Sequence, residues 1–284
     1  MGKEIKKAVI IVNLLKPEAE ALVDDITAYL DERKIQNEVF GYSGAPITPD
    51  IKEADIAFAL GGDGTVLFSA RTLACFEIPV LAVNMGNFGF ITEVSKDEWK
   101  DTFEDYHAGR LKLSKRLMLK AAVIRNGKKI KELHSLNDSV ISAYGISKMI
   151  RLSVQLNGTH LGKYRADGVL VSTPTGSTAY SAAAGGPLLE PEMDAVLLNP
   201  ICPFSLSNRP LVIPADKKIK IFVEQEQRAE VMLTVDGQTV FPLVPEDVVE
   251  FERAPEKALI ISSDKRNFYE ILRTKLKWSG GPDA

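Results

Sequence analysis

Apolar and polar positions follow two different rhythms along this chain. From Met1 to about Leu113, short apolar runs alternate with amphipathic stretches: KAVIIVN, PEAEALVDDITAYLDERK, NEVFGY, ADIAFAL, TVLFSARTLACF and IPVLAVN. Strands separated by helices predict an α/β region with a mostly parallel sheet. From about Leu117 the pattern is strand after strand, with Asn126-Gly127, Asn157-Gly158 and Asp236-Gly237 between apolar runs. Those pairs tolerate the positive φ angles of type I′ turns and predict hairpins, so this half reads as mainly antiparallel all-β. Near the end, NFYEILRTKLKW spaces Phe268, Ile271, Leu272 and Leu276 along one face of a helix expected to pack back on the body. The expected division is an α/β domain over 1–115, a β-rich domain over 116–255 and a strand/helix extension over 256–284.

Composition narrows the setting. With 284 residues, 45% of them hydrophobic, the chain can bury a substantial core. Its 35 Lys and Arg against 38 Asp and Glu supply no general field for nucleic acid or an acidic membrane, so any anion must be met locally. The two cysteines, Cys75 and Cys202, match neither a zinc spacing nor a CxxC pair, which fits a reducing compartment. The apolar run Ala8–Val12 is too short for a signal sequence and Lys6 stands where a myristoylation signal needs Ser or Thr. The expected location is cytoplasmic, without a membrane or nucleic-acid partner.

Three stretches carry candidate chemistry. The first, GGDGT over 61–65, follows the apolar run Ile56–Leu60. Glycines at a strand-to-helix corner let a ligand approach the backbone, and a helix N-terminus favours phosphate there. An acid among them opposes phosphate unless Asp63 handles a metal or takes a proton from a hydroxyl. A plain tight turn is the alternative, and Thr65 is the expected helix cap. The second stretch, YRADGVLVSTPTGSTAYSAAAGGP, runs a strand into hydroxyls and a helix of small residues expected to begin near Ser177 or Thr178. It suits ribose or phosphate oxygens, or else a capped, tightly packed helix. The third, Asn137-Asp138, offers an amide and a carboxylate able to bind adjacent ribose hydroxyls, or a simple Asx turn. Asp167-Gly168, beside Arg165, has the same ambiguity. Such elements on both halves suggest a ligand held between them. The three histidines lack ligand spacing, and the basic groups at Lys112–Arg116 and Lys128–Lys131 are expected on solvated faces.

Together, GGDGT (61–65), VNMGNFGF (83–90), LNDSV (136–140), DGVLVSTPTGSTAYSAAAGGP (167–187), ICPFSLSNRPLVIP (201–214) and VDGQ (235–238) resemble the NAD kinases, in that family's order. GGDGT alone is shared with diacylglycerol and sphingosine kinases; TPTGSTAY is the diagnostic part. The resemblance implies an enzyme that uses ATP and Mg²⁺ or another divalent metal to phosphorylate the 2′-hydroxyl of NAD's adenosine ribose, yielding NADP. It implies Asp63 as proton acceptor, with Gly62, Gly64, Thr65 and Phe90 around the nucleotide. Ribose binding falls on Asn137 and Asp138. Lys148, Arg165, Asp167, Thr178, Ala179, Tyr180, Ser181, Ala182, Ala183 and Gln238 match other dinucleotide contacts. Relatives commonly have Ser at Ala183, His at Phe204 and an aliphatic residue at Phe88. The family also implies a homodimer or homotetramer. The rival readings are a lipid kinase of the diacylglycerol type and a non-catalytic NADP sensor.

Overall fold

The computed structural model describes residues 4–16, 18–43, 51, 53–86, 89–145 and 148–277. It divides into one unit of residues 1–116 with 257–284, and a second of 117–256.

The first unit opens with strand β1 (Lys7–Asn13), helix α1 (Ala19–Glu32), β2 (Gln36–Tyr42), β3 (Ile56–Gly61), α2 (Asp63–Leu73), β4 (Val80–Asn84), the short β5 (Val94–Ser95) and α3 (Trp99–His107). The strands lie in the order β2-β1-β3-β4 and pair in parallel, with β5 parallel to β4. β3 and β4 are buried along their whole length, which is why they read as continuous apolar runs rather than alternating ones. On α1, Ala19, Leu22, Ile26 and Leu30 recur at helical spacing and bury against β1, β3 and the Trp99, Phe103 and Tyr106 face of α3. Parallel register brings Gly61 opposite Asn84, so the glycine-rich corner stands at the carboxyl ends of β3 and β4.

The second unit is built from the long strand β6 (Leu113–Arg125), β7 (Lys128–Ser135), β8 (Asp138–Tyr144), β9 (Ile150–Leu156), β10 (Thr159–Ala166), β11 (Gly168–Ser172), the four-residue helix α4 (Tyr180–Ala183), β12 (Ala195–Ile201), β13 (Leu211–Pro214), β14 (Ile219–Val223), β15 (Glu230–Val235), β16 (Thr239–Leu243) and β17 (Val248–Ile261). One sheet runs β13-β12-β11-β8-β15-β16, antiparallel throughout. The other strands pair as β10-β9-β14-β17, with β6 joining β17 and β7. Alternate residues supply a common core: Val123, Ile141, Val154, Val169, Val171, Ile221, Leu233 and Phe251 cluster together. Leu170 points the other way, onto Val140 and Ile201, as the two-residue period of a strand requires. All three hairpin pairs take the left-handed conformation, with φ of 50° and 72° at Asn126-Gly127, 48° and 82° at Asn157-Gly158, and 50° and 64° at Asp236-Gly237.

The chain then returns to the first unit, where Ile260 pairs in parallel with Val80. Helix α5 (Phe268–Leu276) begins with a capping box: the Asn267 side chain accepts from the Glu270 amide, and Glu270 accepts from the Asn267 amide. Ile271 and Leu272 are buried, but Leu276 is exposed, so the apolar face is shorter than its spacing implied. A second correction concerns Arg116. It is not on a solvated face but buried, its Nη2 3.9 Å from Glu93 Oε1. Lys128, Lys129 and Lys131 are exposed as expected.

Candidate functional site

At the end of β3, Gly62 is the N-cap residue of α2 in extended conformation, and Asp63 is the first helical residue. Thr65 is therefore not the cap. It sits in the first turn, buried, with its hydroxyl 2.9 Å from that of Tyr42. The Asp63 carboxylate turns onto the segment after β4. Its Oδ2 accepts from the Phe90 amide (2.9 Å), and its Oδ1 accepts from the amides of Ile91 (3.2 Å) and Thr92 (3.3 Å) and the Thr92 hydroxyl (3.1 Å). These four hydrogen bonds fix the turn to the carboxylate.

Thr92 is fully buried and extends this network: its hydroxyl also accepts from Asn84 Nδ2 and the Gly89 amide, each at 2.8 Å. The approach is tight, since a β-carbon on Gly89 would lie 1.7 Å from Asp63 Oδ1. Around Gly62 and Gly64 a β-carbon would meet nothing within 4 Å, so that side of the corner has open space. Phe90 is half-buried, with Lys275 Nζ 5.4 Å from its ring centre. Asn87 and Phe88 of the VNMGNFGF stretch lie outside the described residues.

In the second unit, Asn137-Asp138 opens β8 beside the β15–β16 turn. Asp236 Oδ2 accepts from the Leu136 amide (3.0 Å), and Oδ1 accepts from those of Asn137 (2.8 Å) and Asp138 (3.1 Å). From the other side, the Asn137 carbonyl accepts from the Thr173 amide (2.9 Å) and the Ser172 hydroxyl (3.1 Å). A β-carbon on Gly176 would lie 2.2 Å from that carbonyl, which explains the glycine of TPTG. The backbone of the pair is thus held while its side chains are not. Among the described residues, Asn137 Oδ1 is buried with no hydrogen-bond partner and the Asp138 carboxylate receives no hydrogen bond. Burial pushes the Asp138 carboxyl up to about 7, and the Asp236 charge adds to the rise. A cleft of about 330 Å³ opens on Asn137, Asp138, Ala179, Tyr180 and Asp236.

The small-residue stretch is not one helix. Thr175–Thr178 form a single 3₁₀ turn, and α4 follows with only four residues. Burial raises the Tyr180 hydroxyl, with Cys202, Asp138 and Asp167 nearby adding to it, so Asp138, Asp167 and Tyr180 share one neighbourhood. Ser181 is buried, and the Asn199 amide nitrogen donates to its carbonyl at 3.1 Å. Thr178, Ala179 and Ala182 are half-buried; Ala183 is exposed.

Other expected contacts lie apart from this cleft. Arg165 borders a cleft of about 460 Å³ with Lys163 and Tyr164, and its guanidinium lies 4.8 Å from the ring centre of exposed Phe204. Lys148 borders another, of about 1260 Å³, with Tyr144 and Pro242. Gln238 is exposed on the β15–β16 turn. Sequence reasoning passed over Thr92, Asn199 and the carboxylate of Asp236. Asp236 alone carried a signal: its turn is Asp-Gly where the other two hairpins use Asn-Gly.

The donors do not fit a resident metal. Among the described residues no three of His, Cys, Asp and Glu gather as a metal would need, and both Asp236 oxygens already accept backbone amides. One or two carboxylates with substrate phosphates suffice to hold magnesium.

Comparison with known proteins gives the family. Residues 136–263 match the ATP-NAD kinase C-terminal domain, and 43–111 match the ATP-NAD kinase N-terminal domain. The NAD kinase of Treponema denticola is 43% identical over 277 residues, covering 97% of this chain and 98% of that protein. That of Magnetococcus marinus is 38% identical over 282 residues, covering 95% and 93%. Among solved structures, yeast NADH kinase complexed with NADH superposes with a TM-score of 0.87 at 24% identity, covering 98% of this chain and 89% of that one. An NAD kinase from Archaeoglobus fulgidus in complex with ATP gives 0.77 at 22%, covering 96% and 100%. These two structures speak for the fold; the full-length identities and the two matched domains decide the family. The chain belongs to the NAD kinase family.

Proposed function

We infer that this chain is an NAD kinase, transferring the γ-phosphoryl group of ATP to the 2′-hydroxyl of the adenosine ribose of NAD, with NADP and ADP as products. The bond from γ-phosphorus to the bridging oxygen breaks, the bond to the ribose oxygen forms, and the hydroxyl proton leaves to a base. In such transfers positioning and charge neutralisation supply most of the acceleration. The observation that carries the reading is the Asn137-Asp138 pair: a fixed backbone presenting a buried amide oxygen and a carboxylate that, among the described residues, have no hydrogen-bond partner. Two such acceptors suit the adjacent hydroxyls of a ribose.

Asp63 is the proposed proton acceptor, through the capacity left on Oδ2, which receives one hydrogen bond against three on Oδ1. Gly62, Gly64, Thr65 and Phe90 are proposed to border the nucleotide at that corner. Thr178, Ala179, Tyr180, Ser181, Ala182 and Ala183 are proposed to line the ribose side, with Asp167 and Gln238 beside them and Arg165 and Lys148 farther along the dinucleotide. The divalent ion enters as metal–ATP. We further propose a cytoplasmic homodimer or homotetramer. Two exposed free cysteines fit a reducing compartment, and no helix of the described residues is long and apolar enough to cross a membrane.

The test combines purified protein, ATP, Mg²⁺ and NAD, with NADP read by a dehydrogenase specific for it. NADP formed only when ATP is present supports the reading. Dinucleotide binding without any phosphoryl transfer would overturn it. The lipid-kinase reading gains nothing from a chain that matches NAD kinases over nearly its whole length.

A further inference from the structure

We propose that Asp236 is the positioning residue of the ribose pair, its carboxylate acting as the template on which Leu136, Asn137 and Asp138 are set. The inference rests on the NAD kinase reading above and adds a residue to it. The three hairpin turns of the second unit make the argument. Asn126, Asn157 and Asp236 occupy the same turn position with φ of 50°, 48° and 50°. Asn and Asp serve a left-handed position about equally, so the turn itself does not require the acid. What differs is the work of the side chain. Asn157 Oδ1 accepts one backbone amide, that of Lys218 at 2.8 Å. Asp236 accepts three consecutive amides, about 100 residues earlier in the chain, and its own amide donates to the Asp138 carbonyl at 2.9 Å.

An amide side chain cannot reproduce this. With its oxygen toward Asn137 and Asp138, its NH₂ group faces the Leu136 N–H, donor against donor; turned over, it loses the other two bonds. A carboxylate accepts on both oxygens and meets all three. Asp236 is itself buried, so the contacts are shielded from water. Its charge also bears on Asp138. The titratable groups facing Asp138 are Asp236 from the end of β15 and the Tyr180 hydroxyl from α4; Asp167 and Cys202 stand near Tyr180 in turn. Neutralising Asp236 removes a negative charge beside Asp138 and makes Asp138 easier to ionise.

The experiment compares wild type with Asp236→Asn and Asp236→Glu in the full chain. Asn keeps the turn, as Asn126 and Asn157 show, and isolates the carboxylate. Asp236→Asn is expected to raise KM for NAD roughly tenfold, the scale of one lost charged hydrogen bond, with KM for ATP within about twofold. The pH at which KM for NAD begins to rise on acidification is expected to move down, and amide exchange at Leu136–Asp138 to quicken. Glu keeps the charge but extends it by one methylene, so KM for NAD is expected to rise while the pH midpoint stays near that of wild type. An unchanged KM for NAD and an unchanged pH midpoint in Asp236→Asn, with wild type active on NAD, would overturn the positioning role alone. A wild type that makes no NADP would overturn the activity on which the role rests, and the role with it.

Discussion

Asp63 and Asp138 are both acids at the start of an element, in loops that mark this family, yet their surroundings are opposite. Asp63 accepts four hydrogen bonds and ties the Phe90–Thr92 turn to the head of α2. Asp138 accepts none from the described residues, is 5% exposed, and is pushed toward neutrality by burial and by Asp236. In the second unit the building work falls to Asp236, which leaves the Asp138 carboxylate unengaged. A carboxylate oxygen taken up by donors builds the loop, as Asp63 Oδ1 does with three; one with acceptor capacity left, as on Asp63 Oδ2 and on Asp138, can serve a ligand. On this reading Asp63 combines two tasks that the Asp138–Asp236 pair divides.

The largest expected effect tests whether Asp63 does both. Asp63→Asn should lower kcat on the order of 10²–10⁴-fold if the group takes the proton. Thr92→Val removes one donor to Asp63 and the acceptor for Asn84 and Gly89 while leaving the carboxylate in place. Its kcat is expected to fall far less. Equal losses in the two variants would mean that Asp63 acts through the turn it anchors, and the assignment as base would be withdrawn.

Next in size is the cost of keeping Asp138 buried. Its folded-state value of about 7 lies above the ordinary 3.8, so the folded protein holds that proton more tightly than the unfolded chain. The associated stability is complete below about pH 4 and is lost as pH rises through 7. Asp138→Asn escapes this loss. Its urea stability should exceed that of wild type by an amount that grows from pH 4 to pH 7, reaching on the order of a few kcal/mol, and then levels off. The same variant should bind NAD more weakly, as should Asn137→Ala, each with KM for NAD up roughly tenfold. A stability gap that does not change with pH would show that Asp138 is ionised at little cost, and the contrast with Asp63 would collapse.

Much of this arrangement was legible in local pattern. Continuous apolar runs at Ile56–Leu60 and Val80–Val83 announced a parallel sheet, and the Asn-Gly and Asp-Gly pairs announced hairpins, because both signals depend on residues a few positions apart. The partners of the acids were not legible. Asp63 meets residues 27 to 29 positions away, and Asp236 meets residues 98 to 100 positions away. The cap failed for a related reason: the helix starts at Asp63, ahead of the hydroxyl, with Gly62 as its N-cap, and the Thr65 hydroxyl meets that of Tyr42 on β2 instead. The small-residue stretch looked like a helix because Ala favours helices. Ser177, whose hydroxyl bonds Pro174 and Leu189, and Asn199, which holds the Ser181 carbonyl, confine it to two short turns.

The smallest expected effect extends the contrast to an acid with a purely structural task. Glu98 accepts from Arg266 Nη1 at 2.7 Å and Nη2 at 3.1 Å and from the Ser95 amide at 3.0 Å, tying the segment before α5 to the start of α3. The Arg266 bonds bring its carboxyl down to about 2, against an ordinary 4.5. The sign is therefore opposite to that of Asp138: this stabilisation is present above about pH 4.5 and is lost as pH falls toward 2. Glu98→Gln should cost about 1 kcal/mol at pH 7, because the pair is partly open to solvent, and nothing measurable near pH 2. NAD kinetics should be unchanged, since Glu98 touches neither loop. If the variant raised KM for NAD, a saturated acid would prove to serve the ligand after all, and saturation would no longer separate the acids that build from those that bind.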